Sequence, residues 1–250
     1  MEIIDTHCHL YSEYFSDIDE IIKQSNKLNV TKFINNACDK SSCIEVLRSV
    51  EKYNCIYGAI GIHPEYVQDY KEDDIKFIEQ HVNDKRIVAI GEIGLDYYYT
   101  KENKVEQKRL LEEQLKIAEE YNKPVIIHNR EATQDIIDIL KKYKVKGIIH
   151  AFNGSLETAN IFIKMGFLLG IGGVITFKNC NLKDIVEKID VKNLVFETDA
   201  PYLAPVPYRG KQNIPGYTCY TLEFVANLKN MELEQLAIIA NENLKRIFDI

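Results

Sequence analysis

The chain has 250 residues and a formal net charge of −7. That charge excludes a general nucleic-acid coat or a polybasic membrane surface, but not a phosphate-bearing substrate, since bound cations dominate the field of a small pocket. Hydrophobic content of 46% and charged content of 28% are those of a globular protein, and no run approaches the ~20 apolar residues of a membrane span.

The opening Met1-Glu2-Ile3-Ile4-Asp5 has no basic, apolar leader, so a cytoplasmic location is expected. Strand-like runs are then expected at about residues 2–7, 32–37, 55–62, 87–92, 124–128, 146–150, 167–172 and 194–198. Segments of helical spacing lie between them, at about 17–28, 41–53, 64–82, 104–121, 131–143, 156–165 and 182–189. Pro64 suits a first helical turn, and Asn122 and Gly166 stand where helices should end. A Pro-rich loop, 201–215, is too long for an ordinary connection and reads as functional. Two closing helices, 218–228 and 232–248, follow it.

Strict strand-helix alternation implies parallel strands with right-handed crossovers. At about 250 residues the pattern predicts one α/β domain, a (β/α)8 TIM barrel with C-terminal closing helices. A doubly wound sheet would want a Gly-rich loop after the first strand, and His7-Cys8-His9 occupies that place. Six cysteines, at 8, 38, 43, 55, 180 and 219, form no C-x-x-C pair and read as reduced thiols. Strand alternation turns Cys8 away from the face of His7 and His9, into the core.

Short patches ending these strands carry the chemistry: Asp5-Thr6-His7-Cys8-His9, Gly61-Ile62-His63-Pro64, Gly91-Glu92-Ile93-Gly94-Leu95-Asp96, His128-Asn129-Arg130, His150-Ala151-Phe152 and Glu197-Thr198-Asp199. A barrel gathers strand ends at one face. Five of the six histidines fall there; His81, late in a helix, reads as a surface residue. A His-x-His pair on a strand directs both imidazoles to one side, suited to gripping one ion. Asp5 and Glu197 either orient ligands by accepting an imidazole N–H or serve the fold. Mixed histidine and carboxylate donors suit Zn, Mn, Fe or Co, while Mg prefers oxygen, so donor type does not name the ion.

These motifs closely resemble the TatD-type metal-dependent deoxyribonucleases, members of the amidohydrolase-like superfamily. The resemblance runs through Asp5-Thr6-His7-Cys8-His9-Leu10, Gly91-Glu92-Ile93-Gly94-Leu95-Asp96, His150-Ala151-Phe152-Asn153-Gly154-Ser155 and Glu197-Thr198-Asp199-Ala200-Pro201, and covers essentially the whole chain. Arg209-Gly210-Lys211-Gln212-Asn213 is similar to the family's Arg-Gly-Lys-Arg-Asn segment, with Gln212 removing one positive charge. Asn153 stands where serine is common. The resemblance implies hydrolysis of DNA phosphodiesters with two divalent ions, of the Mg, Mn or Zn kind. One ion would take His7, His9, Glu92 and Asp199; the other would take Glu92, His128 and His150, with Glu92 bridging. His63 matches a position near the metals that looks like a phosphate or water contact.

Two ions sharing a water would lower its pKa and hold both the attacking and leaving oxygens of a phosphodiester. Asp199 is then the expected general base. Arg130 either forks around phosphate oxygens or pairs with Glu131. Arg209 and Lys211 either clamp a phosphate or are solvated loop cations. Tyr97, Tyr98 and Tyr99 either stack unpaired bases or pack on the rim. An exonuclease on single-stranded DNA ends is the leading expectation, with the 3′-to-5′ direction implied by the family resemblance and no obligatory protein partner. The runner-up is a hydrolase of the same barrel acting on an ester or amide, because a metal cup alone does not choose phosphorus over carbon. A metal-binding scaffold without turnover is disfavoured, since a structural site would be closed by four unshared ligands.

Overall fold

The computed structural model describes residues 1–98, 102–248 and 250. Eight strands, β1 (Ile3–Cys8), β2 (Val30–Asn36), β3 (Ile56–Ile60), β4 (Ile87–Asp96), β5 (Val125–Arg130), β6 (Gly147–Ile149), β7 (Phe167–Ile171) and β8 (Leu194–Phe196), lie side by side in chain order. Every pairing is parallel. The sheet closes at its carboxyl end, where Asp199 N–H donates to His7 O (2.9 Å) and His9 N–H to Ala200 O (2.8 Å). The fold is the expected (β/α)8 barrel.

Helices α1 (Ile18–Lys27), α2 (Lys40–Lys52), α3 (Glu72–His81), α4 (Lys104–Glu120), α5 (Thr133–Leu140), α6 (Leu156–Lys164) and α7 (Leu182–Lys188) alternate with the strands, and α8 (Thr218–Leu228) and α9 (Leu233–Lys245) follow them. Several helices begin at a side-chain cap. Asp17 accepts from Glu20 N–H at 3.0 Å, Asp39 from Ser42 N–H at 2.8 Å, and Ser155 from Thr158 N–H at 3.2 Å. Replacing such a cap by alanine typically costs ~1 kcal/mol. None of the helices among the described residues is long and apolar enough to cross a membrane.

Two apolar layers hold the barrel. The inner one stacks Ile4, Ile34, Val88, Ile126, Ile148, Leu168 and Val195, and is plugged at the strand amino ends by Leu244 and Phe248. The outer one lies between sheet and helices and contains Cys8. Strands buried on both faces read as nearly unbroken apolar runs, which is why 87–90 and 124–127 stand out. Truncating Ile126, fully buried in the inner layer, would cost about 2–5 kcal/mol.

The expected single helix over 64–82 is divided. A 3₁₀ turn, Pro64–Tyr66, comes first, and α3 starts at Glu72. Lys71 N–H donates to the Asp74 carboxylate at 2.9 Å, opening a new helix, with Glu72, Asp73 and Asp74 in its favourable first turn. Strand β4 runs four residues beyond the expected end, because Gly94, Leu95 and Asp96 continue to pair with His128, Asn129 and Arg130. Gly94 makes this possible: a Cβ there would lie 1.9 Å from His128 O. Conversely β8 stops at Phe196, leaving 197–199 to turn toward β1.

Candidate metal centre

Barrel closure and site assembly use the same atoms. Asp5, fully buried at the floor, accepts from Thr198 N–H (3.0 Å) and from Thr198 Oγ1 (2.5 Å), tying β1 to the segment after β8. Burial pushes its carboxyl well above the usual range against the pull of those donors. Asp199 adopts a φ of 59°, uncommon outside glycine, held by the closing bond to His7 O and by Tyr202 N–H donating to its carbonyl at 2.8 Å. Asn213, fully buried, pins the long loop above it by donating to Thr198 O (2.9 Å) and Tyr202 O (2.7 Å).

His7, His9, Glu92 and Asp199 then converge. His7 Nε2 is 3.3 Å from His9 Nε2, 3.3 Å from Glu92 Oε2 and 3.7 Å from Asp199 Oδ1. His9 Nε2 is 3.4 Å from Asp199 Oδ1 and 3.7 Å from Glu92 Oε2. A tetrahedral ion bound at ~2.0–2.2 Å separates its ligand atoms by roughly 3.3–3.6 Å. His7 and His9 therefore stand at ligand-like separations from each other and from both carboxylates. His9 is oriented by its Nδ1, 2.9 Å from Asn36 O.

The other Glu92 oxygen faces a second group. Oε1 is 2.8 Å from His128 Nδ1, 3.7 Å from His63 Nε2 and 3.8 Å from His150 Nε2. His63, Glu92 and His128 present ligand atoms all within 4.8 Å of one another, so His63 stands among the potential ligands here. His150 also groups with His7 and Asp199, its ring stacked 3.5 Å from that of His7. Glu197, expected to orient a ligand or serve the fold, lies 2.9 Å from His150 Nδ1 and accepts from Ala151 N–H at 2.6 Å.

Burial alone would push the Glu92 carboxyl up, yet the charge of His150 and the hydrogen bond with His128 help hold it well below the usual carboxylate range. Burial and the nearby His150 lower His7, and burial and His128 lower His63 to about 3, so both are neutral and ligand-ready. His128 is raised to about 9, its bonds to Asp96 and Glu92 outweighing burial; His150 is raised to about 10, with Glu197 and Glu92 outweighing it. Asp199 is held below its usual range by His9, His150 and His7 despite burial.

Around these groups a cavity of about 640 Å³ opens, lined in part by Arg130, Tyr11, Tyr14 and Tyr202. The Arg130 guanidinium lies 3.8 Å from the centroid of the exposed Tyr98 ring. Tyr97 is buried and donates to Asp135 at 2.7 Å; Tyr99 lies outside the described residues. Neither Arg209 nor Lys211 lines the cavity. The Arg209 guanidinium sits over Phe177 (4.3 Å) and the Lys211 ammonium near Tyr208 (5.8 Å), on the outer part of the loop. His81 ends α3 and pairs with Asp84 at 2.6 Å.

Asp96 received no role from sequence reasoning, yet its carboxylate lies 3.0 Å from His128 Nε2, opposite Glu92. The signal was present: Glu92, Gly94 and Asp96 share one face at period two. The Asn36 carbonyl was invisible, since any residue type supplies one.

A closed eight-stranded barrel that gathers imidazoles around a shared carboxylate at its carboxyl end defines a metal-dependent hydrolase. The family model described as TatD related DNase matches residues 4–249, and the chain belongs to that family. It is 42% identical over 253 residues to the metal-dependent hydrolase YabD of Bacillus subtilis, with 99% of each chain covered. It is 34% identical over 258 residues to the metal-dependent hydrolase YcfH of Escherichia coli K12, covering 100% of this chain and 97% of that one. The crystal structure of YjjV, a TatD homolog from E. coli K12, matches with a TM-score of 0.94 at 29% identity, over 99% of this chain and 98% of the other.

Proposed function

We propose that this protein hydrolyses DNA phosphodiesters, working inward from a free 3′ single-stranded end. The observation that carries this reading is Glu92, with imidazoles at both oxygens, facing a walled cup that Arg130 also lines. His7, His9, Glu92 and Asp199 would hold one divalent ion, and Glu92 with His128, His150 or His63 a second. Such ions acidify water and neutralise charge developing on phosphate oxygens.

The remaining work falls to the chain itself. Asp199, its side chain 18% exposed to the cup, is ionised at neutral pH and takes a proton from the attacking water. Arg130 offers a planar fork to the non-bridging oxygens, and its stacking on Tyr98 limits the freedom it loses on binding. Tyr202 and Leu203 bring the 201–215 loop to the wall of the cup, which favours entry of an unpaired terminus over an intact duplex. Family membership supports the same reading.

One feature favours a second reading, an ester or amide hydrolase. Glu13, Asp39, Glu45 and Glu65 line the same cavity, in which Arg130 is the one lysine or arginine among the described residues. The discriminating experiment incubates metal-analysed protein with linear and circular single-stranded DNA of one sequence under several divalent ions, alongside lactone and amide substrates. Mononucleotide release from the linear form alone is expected. Equal rates on the circle would overturn the exonuclease reading, and turnover of lactone or amide without DNA would leave the second.

A further inference from the structure

Beside the metal cup lies another cavity, of about 550 Å³, built by the segments that follow β6, β7 and β8. Asp199 and Leu203 line both spaces and form the divide between them. The second cavity has a different chemistry. Among the described residues no lysine or arginine lines it, and its only charges are the Glu197 and Asp199 carboxylates. A phosphate would be repelled there, so this is a place for a neutral group.

Its walls name that group further. Phe152, Val174 and Ile185 supply apolar surface, while Asn153, Asn179 and Asn181 supply carboxamides. Asn181 begins α7 without capping it, and none of the three amides makes a side-chain hydrogen bond to another described residue. All three are exposed, and each carries two donors and an acceptor open to solvent or to a ligand. Leu203, on the divide, is 48% exposed despite its apolar side chain. Apolar walls for flat faces, with donors and acceptors for an edge, are what an unstacked nucleobase requires. The volume falls in the range typical of small-molecule sites.

We propose that this cavity receives the base of the terminal nucleotide while its phosphate lies in the metal cup, across the divide formed by Asp199 and Leu203. This rests on the phosphodiesterase reading above. It assigns the two functions to adjacent spaces: the metal cup handles the phosphate, and the cavity beside it, which lacks cations among its described lining residues, selects the nucleoside.

The test compares thymidine 5′-(4-nitrophenyl phosphate) with methyl 4-nitrophenyl phosphate, which has no base, on metal-loaded wild-type protein and on Val174→Trp. The tryptophan should fill the cavity and lower kcat/KM for the nucleotide roughly 10- to 100-fold, leaving the methyl ester within about twofold. Equal losses on both substrates, or none on either, would overturn the proposal. Failure of the wild type to cleave either substrate would remove the phosphodiesterase reading, and this inference with it. An independent measurement needs no variant: wild-type protein should degrade an oligonucleotide with an abasic 3′-terminal residue at least tenfold more slowly than one ending in thymidine. Equal rates would again overturn the assignment. Asn181→Ala should reduce discrimination among the four terminal bases without changing the methyl ester rate.

Discussion

The two sides of Glu92 differ in how completely they are built. On the β1 side, His7, His9 and Asp199 already stand at metal-coordinating separations of 3.3–3.7 Å, fixed by the backbone bonds that close the barrel. On the β5 side, His128 bonds Glu92 directly at 2.8 Å and reaches Asp96 with its other nitrogen at 3.0 Å. An imidazole held between two carboxylates must let one go before it can ligate. One side already has its donors at ligand-like separations and the other holds His128 between two carboxylates, so the first should bind its ion with little rearrangement and the second should adjust.

The severest way to break this comparison is to remove the carboxylate that both sides share. Glu92→Ala should strip more metal than any single histidine-to-alanine change, with activity falling to background; elemental analysis of the purified variant showing two retained ions would remove the shared role. Asp199→Asn acts on the built side alone. It should fold and melt within a few degrees of wild type yet lose at least 10²–10⁴ in kcat, since an amide neither takes a proton nor ligates well. A variant keeping more than about a tenth of the wild-type rate would count against Asp199 as the base. Arg130→Ala acts beside the adjustable side and should leave metal content unchanged. A charged hydrogen bond to phosphate contributes about 1.5–3 kcal/mol, so kcat/KM for DNA should drop roughly 10- to 150-fold; unchanged kinetics would reduce Arg130 to a partner for Tyr98.

The smallest effect is protonic, and it sharpens the comparison most. His7 is lowered in the metal-free protein, while His9, with Cys38 and Asp199 outweighing burial, is raised, and His128 and His150, raised to about 9 and about 10, hold protons at pH 7. Coordination requires neutral imidazole, so loading metal at pH 7 should release protons, and apparent affinity should climb with pH toward 9. Weakly buffered titration with a pH indicator measures the release. In the metal-free protein the same raised values give stability that is complete below about pH 6.5 and lost as pH rises through 9 and 10. Its melting temperature should therefore be lower at pH 10.5 than at pH 6. A metal titration without proton release would mean that His128 and His150 ligate from an already neutral state.

Much of this arrangement was readable in advance because its causes are local. Buried parallel strands write themselves as apolar runs, and a donor at the end of each run lands at one face of a barrel. What escaped reading depended on distant partners. The extension of β4 needed Gly94 to meet His128 across the sheet, and so Asp96 went without a role. The break in 64–82 depended on the Asp74 carboxylate bonding Lys71 N–H, a choice that helical periodicity does not record. The divide formed by Asp199 and Leu203 joins spaces built by loops far apart in the chain. Arg209 and Lys211 show the converse: a basic motif near the site in sequence settled on Phe177 and Tyr208.

The bonds joining His7 to Asp199 and His9 to Ala200 span more than 190 residues of chain. During synthesis the amino-terminal histidines emerge first and wait for a partner that leaves the ribosome only near the end of translation. A nascent chain thus carries half of the candidate metal site for most of its time on the ribosome. Completion of the polypeptide acts as the licence for catalysis, and a fragment truncated before Asp199 is expected to be inert rather than partially active.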